Sequence, residues 1–174
     1  TAMENTLNYI NTSIQNLQPL AAIGDKQTAA CQYYNAHGMA FGKDEVWRFV
    51  DFSSFLNDNL DLPQSNETHD YEFTCNIPNL DTTRLTLFNG YVSAHDKMTV
   101  TEQGVIMGSI KEALKIYPEL VAKYFGNCYK KDNSFLASNT ALFTDGFFIY
   151  VPDNVFIERP IQILDVIKSQ TPLF

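Results

Sequence analysis

Apolar positions in the first twenty residues recur at Leu7, Ile10, Ile14 and Leu17. The spacing i, i+3, i+7, i+10 lays one stripe along a helix predicted over residues 4–18. Pro19 is expected to end it. Asp25 stands as the N-cap of a second predicted helix, which runs through Ala29, Ala30, Tyr33 and Tyr34 to a stop at Gly38. The pair reads as a helical hairpin. Two short helices bury too little surface to offset the entropy of ordering them, so the stripe requires a partner, either the β portion of the chain or another subunit.

Polar and acidic positions then dominate residues 57–70, which Pro63 interrupts, and this stretch reads as a flexible loop. Residues 71–75 and 84–88 have strand composition. The second run leads into Asn89-Gly90, the dipeptide of a two-residue hairpin turn, with Tyr91-Val92 as the return. Ser109-x-x-Glu112 is a capping box opening a helix whose Ile110, Ala113, Leu114 and Tyr117 share a face. Pro118 restarts a helix that Gly126 ends. From Ser134 to Leu164 a short helical turn feeds strand blocks at 147–151, 155–157 and 161–167. Pro152-Asp153-Asn154 and Glu158-Arg159-Pro160 are the turns between them. Ile149, Val155 and Ile161 lie six apart, as do Val151, Ile157 and Ile163, so each rung can stack on the last as in a coiled sheet. A three-stranded meander satisfies the same spacing, because so few rungs fall short of the roughly three repeats a solenoid needs.

At 174 residues the chain holds one sizeable core, and 45% hydrophobic residues with thirteen Phe exclude a disordered chain. The net charge is −8, and the largest basic cluster is the pair Lys130-Lys131, so neither nucleic acid nor an anionic membrane is an expected partner. No apolar run has the length of a membrane span, and the N-terminus has no basic-then-apolar signal pattern, so a cytoplasmic location is expected. Thr1-Ala2 ahead of Met3 reads as a cloning remnant. The triplets Asn11-Thr12-Ser13 and Asn66-Glu67-Thr68 then have no glycosylation role. Cys31, Cys75 and Cys128 are odd in number and widely separated, which fits free thiols rather than a disulfide framework or a C-x-x-C site.

Candidate chemistry is sparse. His37, His69 and His95 are scattered, and His69-Asp70 and His95-Asp96 read as solvated pairs rather than metal ligands. Lys43-Asp44-Glu45 precedes Trp47, but adjacent carboxylates do not share a face of a helix or strand, which argues against an acid/base pair. Trp47, Phe49 and Phe52 are instead expected to anchor this segment in the core while the charges stay in water. Asn139 and Asp145 are expected to hydrogen-bond backbone groups where helix hands over to sheet. Phosphate loops, nucleophile elbows and Walker motifs do not occur. No catalytic, cofactor-binding or metal-binding residue is therefore expected. A carbohydrate-binding or carbohydrate-active module is an alternative, motivated by 13% aromatic residues and the acidic balance. It requires an exposed aromatic row and a carboxylate pair across a groove, and burial of Trp47, Tyr91 and Tyr150 would weaken it.

The run Asn139-Thr-Ala-Leu-Phe-Thr-Asp-Gly-Phe-Phe-Ile-Tyr-Val-Pro152, followed by Val155, Glu158, Pro160 and Ile161, resembles the SufB/SufD family, the scaffold proteins of the SUF iron-sulfur cluster assembly machinery. Lys43-Asp44-Glu45-Val46-Trp47-Arg48-Phe49, Ser109-Ile110-Lys111-Glu112-Ala113-Leu114 and Pro118-Glu119-Leu120-Val121 are weaker matches. Leu87-Phe88-Asn89-Gly90 helps to favour the D-type member, with the B-type sister as the nearer alternative. The resemblance spans about 43–164. Val50 departs from it where a small hydroxyl residue is common, and 58–70 looks like an insertion. The resemblance implies a non-enzymatic scaffold of α+β class, with an N-terminal helical hairpin and a small α/β region leading into the first rungs of a parallel β-helix. The segments implied are a helical region at 3–57, a polar linker at 58–70, the α/β region at 71–133 and the start of a truncated β-helix at 134–174. It further implies a B-type sister as partner through the β-helix, and an ABC-type ATPase engaged through a C-terminal helical domain that lies beyond Phe174. The groups that form a cluster are implied to lie beyond Phe174 or on the partner, so no cofactor is expected here and the three cysteines are small buried hydrophobes. The last strand is expected to expose an unpaired edge and an apolar face, and to self-associate there.

Overall fold

The computed structural model describes residues 6–39, 45–53, 56, 80–93, 96–129 and 133–168. In chain order the elements are α1 (Thr6–Gln15), α2 (Gly24–His37), a 3₁₀ turn (Glu45–Trp47), β1 (Thr83–Phe88), β2 (Tyr91–Val92), β3 (Thr99–Val100), β4 (Ile106–Ser109), α3 (Ile110–Ile116), α4 (Pro118–Tyr124), α5 (Ser134–Ala141), β5 (Phe147–Tyr150) and β6 (Ile161–Val166). The class is α+β. Two compact units form, one from described residues within Thr1–Leu62 and Tyr117–Phe143, the other from those within Pro63–Ile116 and Thr144–Ser169. Neither is a single stretch of chain. The expected linker at 58–70 and the expected strand at 71–75 lie outside the described residues.

In the first unit the α1 stripe does what its spacing demands. Ile10 and Ile14 are buried in a cluster with Tyr34 of α2 and with Ala137 and Ala141 of α5. Among the described residues the stripe thus packs on helices, Tyr34 of α2 and the alanines of α5, rather than on the β portion of the chain. The two alanines present no bulk, so α2 packs closely along α5. Gly38 ends α2 as expected, with φ 59° and its N–H donated to Tyr34 O. The start differs. Ile23 occupies the N-cap without a side-chain cap, and Asp25 falls inside the first turn. Gln27 explains the displacement: fully buried, it accepts the Leu20 N–H at 2.8 Å through Oε1 and donates through Nε2 to Ala141 O at 3.2 Å. One side chain thereby fixes the entry of α2 and ties it to α5. Lys26 Nζ donates to Ala122 O at 3.0 Å, to Asn127 Oδ1 at 3.1 Å and to Phe125 O, placing a cation at the carbonyl end of α4.

Trp47 and Phe52 meet Phe135 in an aromatic trio with ring centroids 5.1 to 5.5 Å apart. Phe49, expected beside them in the core, is instead 88% exposed. The tight turn after the 3₁₀ segment points it outward, where the Arg48 guanidinium lies 5.3 Å from its ring and pairs with Glu45.

The second unit contains two three-stranded sheets, ordered β2-β1-β6 and β3-β4-β5. The Asn89-Gly90 turn joins β1 to β2 with φ 47° and 85°, the pair of positive values a type I′ turn needs. β6 runs parallel to β1 from Thr83↔Ile161 to Phe88↔Val166. Asn89 lengthens that ladder, its Oδ1 accepting the Lys168 N–H at 2.8 Å and its Nδ2 donating to Lys168 O at 3.2 Å. In the other sheet β4 is central and antiparallel to both neighbours. Val105, Ile106, Met107 and Phe148 supply its buried side chains. A Cβ at Gly108 would lie 2.8 Å from Met98 Cα, so only glycine permits that approach.

The strand block expected at 155–157 forms no strand. Asn154 adopts a left-handed φ of 62° in the Pro152-Asp153-Asn154 turn, and Pro160 lacks the N–H that a continued ladder requires. Stacking of successive rungs is not seen among the described residues, because β5 pairs with β4 while β6 pairs with β1.

Candidate interaction surface

Residues 154–159 keep the alternation of a strand without its ladder. Val155 and Ile157 are half-buried, while Phe156 between them is 78% exposed. Together with the β3-β4 hairpin this segment walls an open cleft of about 710 Å³, with Val105 and Met107 among its lining residues. The hairpin is rigid on its side: the Val105 N–H donates to Thr101 Oγ1 at 3.1 Å, and the Gly104 N–H to Thr101 O at 2.9 Å. Gln103, Asn154, Glu158 and Arg159 supply the polar lining, and Arg159 pairs with Asp81 at the surface. The cleft has one carboxylate and one aromatic ring. Among the described residues it has neither the carboxylate pair nor the aromatic row that a sugar site requires.

The second feature is the outer edge of β6. The Thr83 N–H donates to Pro160 O at 2.9 Å and the Asn89 N–H to Val166 O at 2.9 Å. In a parallel ladder this phase turns the N–H and C=O of the even-numbered residues of β6 toward β1. Those of Ile161, Ile163 and Asp165 therefore point outward, and no strand among the described residues takes them. The odd-numbered side chains of β6 share one face with Leu85, and although Leu85 is buried, Ile163 is 53% and Ile167 71% exposed. Among the described residues, Ile163 and Ile167 are thus exposed apolar side chains at this edge.

Among the residues singled out earlier, Asp145 acts as a staple. Its carboxylate accepts the Ser109 hydroxyl at 2.7 Å, the Val92 N–H at 3.2 Å and the Lys111 N–H at 3.4 Å, so it links a hairpin, a strand end and the start of α3. Asn139 does not share this role; it is exposed on α5, and its side chain makes no hydrogen bond among the described residues. The Ser109-Glu112 box is half formed. Ser109 Oγ accepts the Glu112 N–H at 3.3 Å, but the Glu112 carboxylate accepts from Met98 N instead of reaching back. Cys31 is partly buried, and burial pushes its thiol up from 9.0, which disfavours the reactive thiolate. Cys128 is exposed, contrary to the expectation of a buried hydrophobe. Trp47, Tyr91 and Tyr150 are half-buried. His37 stacks on Tyr33 with ring centroids 4.1 Å apart and contacts Tyr33 O through Nδ1. His69, His95, Cys75, Lys43 and Asp44 lie outside the described residues. Among the described residues no three His, Cys, Asp or Glu side chains gather into a metal site. No helix among them is long and apolar enough to cross a membrane. Gln103 and Thr101 of the cleft carried no signal in the sequence, because hairpin-tip polar residues look alike whether or not they border a groove.

Residues 7–163 match the family model of the SufBD protein N-terminal region. The iron-sulfur cluster assembly protein SufD of Bacillus subtilis is 32% identical over 134 residues, which is 74% of this chain and 30% of that protein. The iron-sulfur cluster assembly SufBD family protein ycf24 of Pyropia yezoensis is 49% identical over 59 residues, 33% of this chain and 12% of the relative. The chloroplastic SufBD family protein ABCI8 of Arabidopsis thaliana is 38% identical over 72 residues, 41% of this chain and 13% of the relative. The chain thus spans less than a third of the length of each of these relatives. With nearly all of its described length inside one family's N-terminal region, the chain belongs to the SufBD family.

Proposed function

We propose that the chain is a non-catalytic scaffold portion in SUF-type iron-sulfur cluster assembly, closer to SufD than to its SufB-like sister. The observation that carries this reading is the family match over residues 7–163, joined by the long alignment with a SufD protein. The parallel pairing of β1 with β6 across most of the second unit is the contact on which a parallel β-helix would be built. A SufB-like sister meets the protein through that β-helix, and a SufC-like ATPase meets it through a segment other than this one. The chain itself carries no cofactor and works in the cytoplasm.

Deleting the reading frame that contains this chain tests the role. The expected result is loss of activity in iron-sulfur enzymes of the host, recovered in extracts by iron and sulfide under anaerobic conditions. Unchanged enzyme activities would end the reading. Two measurements on the chain alone sharpen it: a stoichiometric cluster after anaerobic reconstitution would contradict the non-catalytic assignment, and capture by a SufC-like ATPase at micromolar concentration would contradict the partner map.

A further inference from the structure

We propose that Asn89-Gly90 is a hydrolytic deamidation site latched by the end of β6, so that the chain modifies itself there only when β6 lets go. Asn89-Gly90 is the one Asn-Gly step in the sequence. Glycine carries no side chain to shield its nitrogen, and a Cβ built at Gly90 would meet nothing within 4 Å. The nucleophile of the reaction, the Gly90 nitrogen, therefore stands open on an exposed turn. The electrophile does not. Asn89 Cγ belongs to a carboxamide whose Oδ1 accepts the Lys168 N–H at 2.8 Å and whose Nδ2 donates to Lys168 O at 3.2 Å. The Asn89 N–H is held as well, by Val166 O at 2.9 Å. Attack turns the planar carboxamide tetrahedral, and the nitrogen that must depart is the one bonded to Lys168 O. Both carboxamide bonds have to break before the ring can close.

The step balances with water as co-reactant. The Gly90 nitrogen gives its proton to solvent base and bonds to Asn89 Cγ, the Cγ–Nδ2 bond breaks, and ammonia leaves. Water then opens the cyclic imide at either carbonyl. Cleavage at Cγ leaves an aspartyl residue in the ordinary linkage, and cleavage at the main-chain carbonyl leaves an isoaspartyl linkage with an extra methylene in the backbone. Neither product restores the latch. An aspartate offers no donor to Lys168 O and sets its charge beside that carbonyl. The isoaspartyl methylene lengthens a two-residue turn whose φ values of 47° and 85° and flanking pair Phe88↔Tyr91 are matched to the shorter backbone. Strand ends open and reclose far more often than such a reaction occurs, so its rate is the unlatched rate multiplied by the fraction of time open. Conversion during one such opening makes the release of β6 permanent. Nothing in this chemistry depends on the scaffold role.

Peptide mapping of the 174-residue chain held in mildly alkaline buffer tests the latch, with circular dichroism as the check on folding. The tryptic peptide 85–97 contains the site, and a synthetic peptide of the same sequence gives the unlatched rate. The folded chain is expected to deamidate at Asn89 about tenfold or more slowly than the peptide. Lys168→Pro removes the N–H bonded to Oδ1 and should speed the folded chain by about fivefold. Lys168→Ala keeps both backbone groups and should react like the parent. The converted chain, separated by its added negative charge, should exchange the amides of Gln162, Leu164 and Val166 faster than the unconverted one. That measurement uses the parent sequence, so it stands even where Lys168→Pro does not fold. A folded chain that reacts as fast as the peptide would overturn the proposal. So would a folded Lys168→Pro variant that reacts no faster than the parent, or a converted chain whose β6 amides keep their protection.

Discussion

Single side chains set the fold of the first unit in ways that composition does not announce. Gln27 is buried and satisfies one donor and one acceptor of the backbone, so its replacement by leucine leaves the Leu20 N–H and Ala141 C=O without partners. Gln27→Leu is expected to lower stability by about 1–3 kcal/mol, read from urea unfolding, despite adding apolar volume. An unchanged midpoint would mean water replaces the carboxamide. Nearby, burial pushes the Tyr34 phenol up from 10.0 and the Cys31 thiol up from 9.0. Both acids hold their protons longer in the folded chain than in the unfolded one. Their contribution to stability is therefore complete below these ordinary values, and is lost as pH rises through the raised folded ones. The melting temperature should hold from neutral pH to about 9 and then fall. Tyr34→Phe should start lower, having lost the bond to Asn11 Oδ1 worth about 0.5–1.5 kcal/mol, but its alkaline fall should be shallower. Parallel curves for parent and variant would show that Tyr34 is not the group responsible.

At the scale of elements, what depends on neighbours in sequence was legible and what depends on distant partners was not. The Gly38 stop, the Pro118 restart and the Asn89-Gly90 turn each rest on local stereochemistry and formed where the sequence indicated, while α1 ends at Gln15, short of Leu17 and of the stop expected at Pro19. The partner of the stripe did not show, because the α5 residues of its cluster, Ala137 and Ala141, are small side chains whose value appears only against α1 and α2. The block at 155–157 has strand composition but no neighbouring strand among the described residues, and composition cannot supply one. The cleft has the same origin, since its walls come from hairpin and turn segments some fifty residues apart in sequence. The turn itself offers a test. Asn89→Asp keeps an acceptor for the Lys168 N–H but removes the donor to Lys168 O and puts negative charge beside that carbonyl. Amides of β6 should then exchange faster by hydrogen-deuterium exchange while those of β4 keep their protection. Equal loss in both would mean that the second unit opens as one body and that the turn has no special hold on β6.

For the whole molecule, the interleaving of two units along the chain decides how it can be divided. The first unit draws its core from both ends of its sequence range: Ile10, Ile14 and Tyr34 come from the first helices, and Ala137 and Ala141 from α5. Lys26 and Gln27 add polar ties from α2 to α4 and α5. A fragment ending at residue 62 keeps the amphipathic stripe and Tyr34 but loses Ala137 and Ala141 of α5, along with the acceptors for both polar ties. Two helices of ten and fourteen residues without a packed face are marginal in water. Such a fragment should show little helical circular dichroism, and a peptide of residues 117–143 added in trans should raise the helical signal with saturation. A fragment that is fully helical by itself would mean that α1 and α2 support each other directly and that α5 merely covers them. A fragment that stays unfolded with the peptide would place the deficit in the connection between the two segments rather than in their contacts.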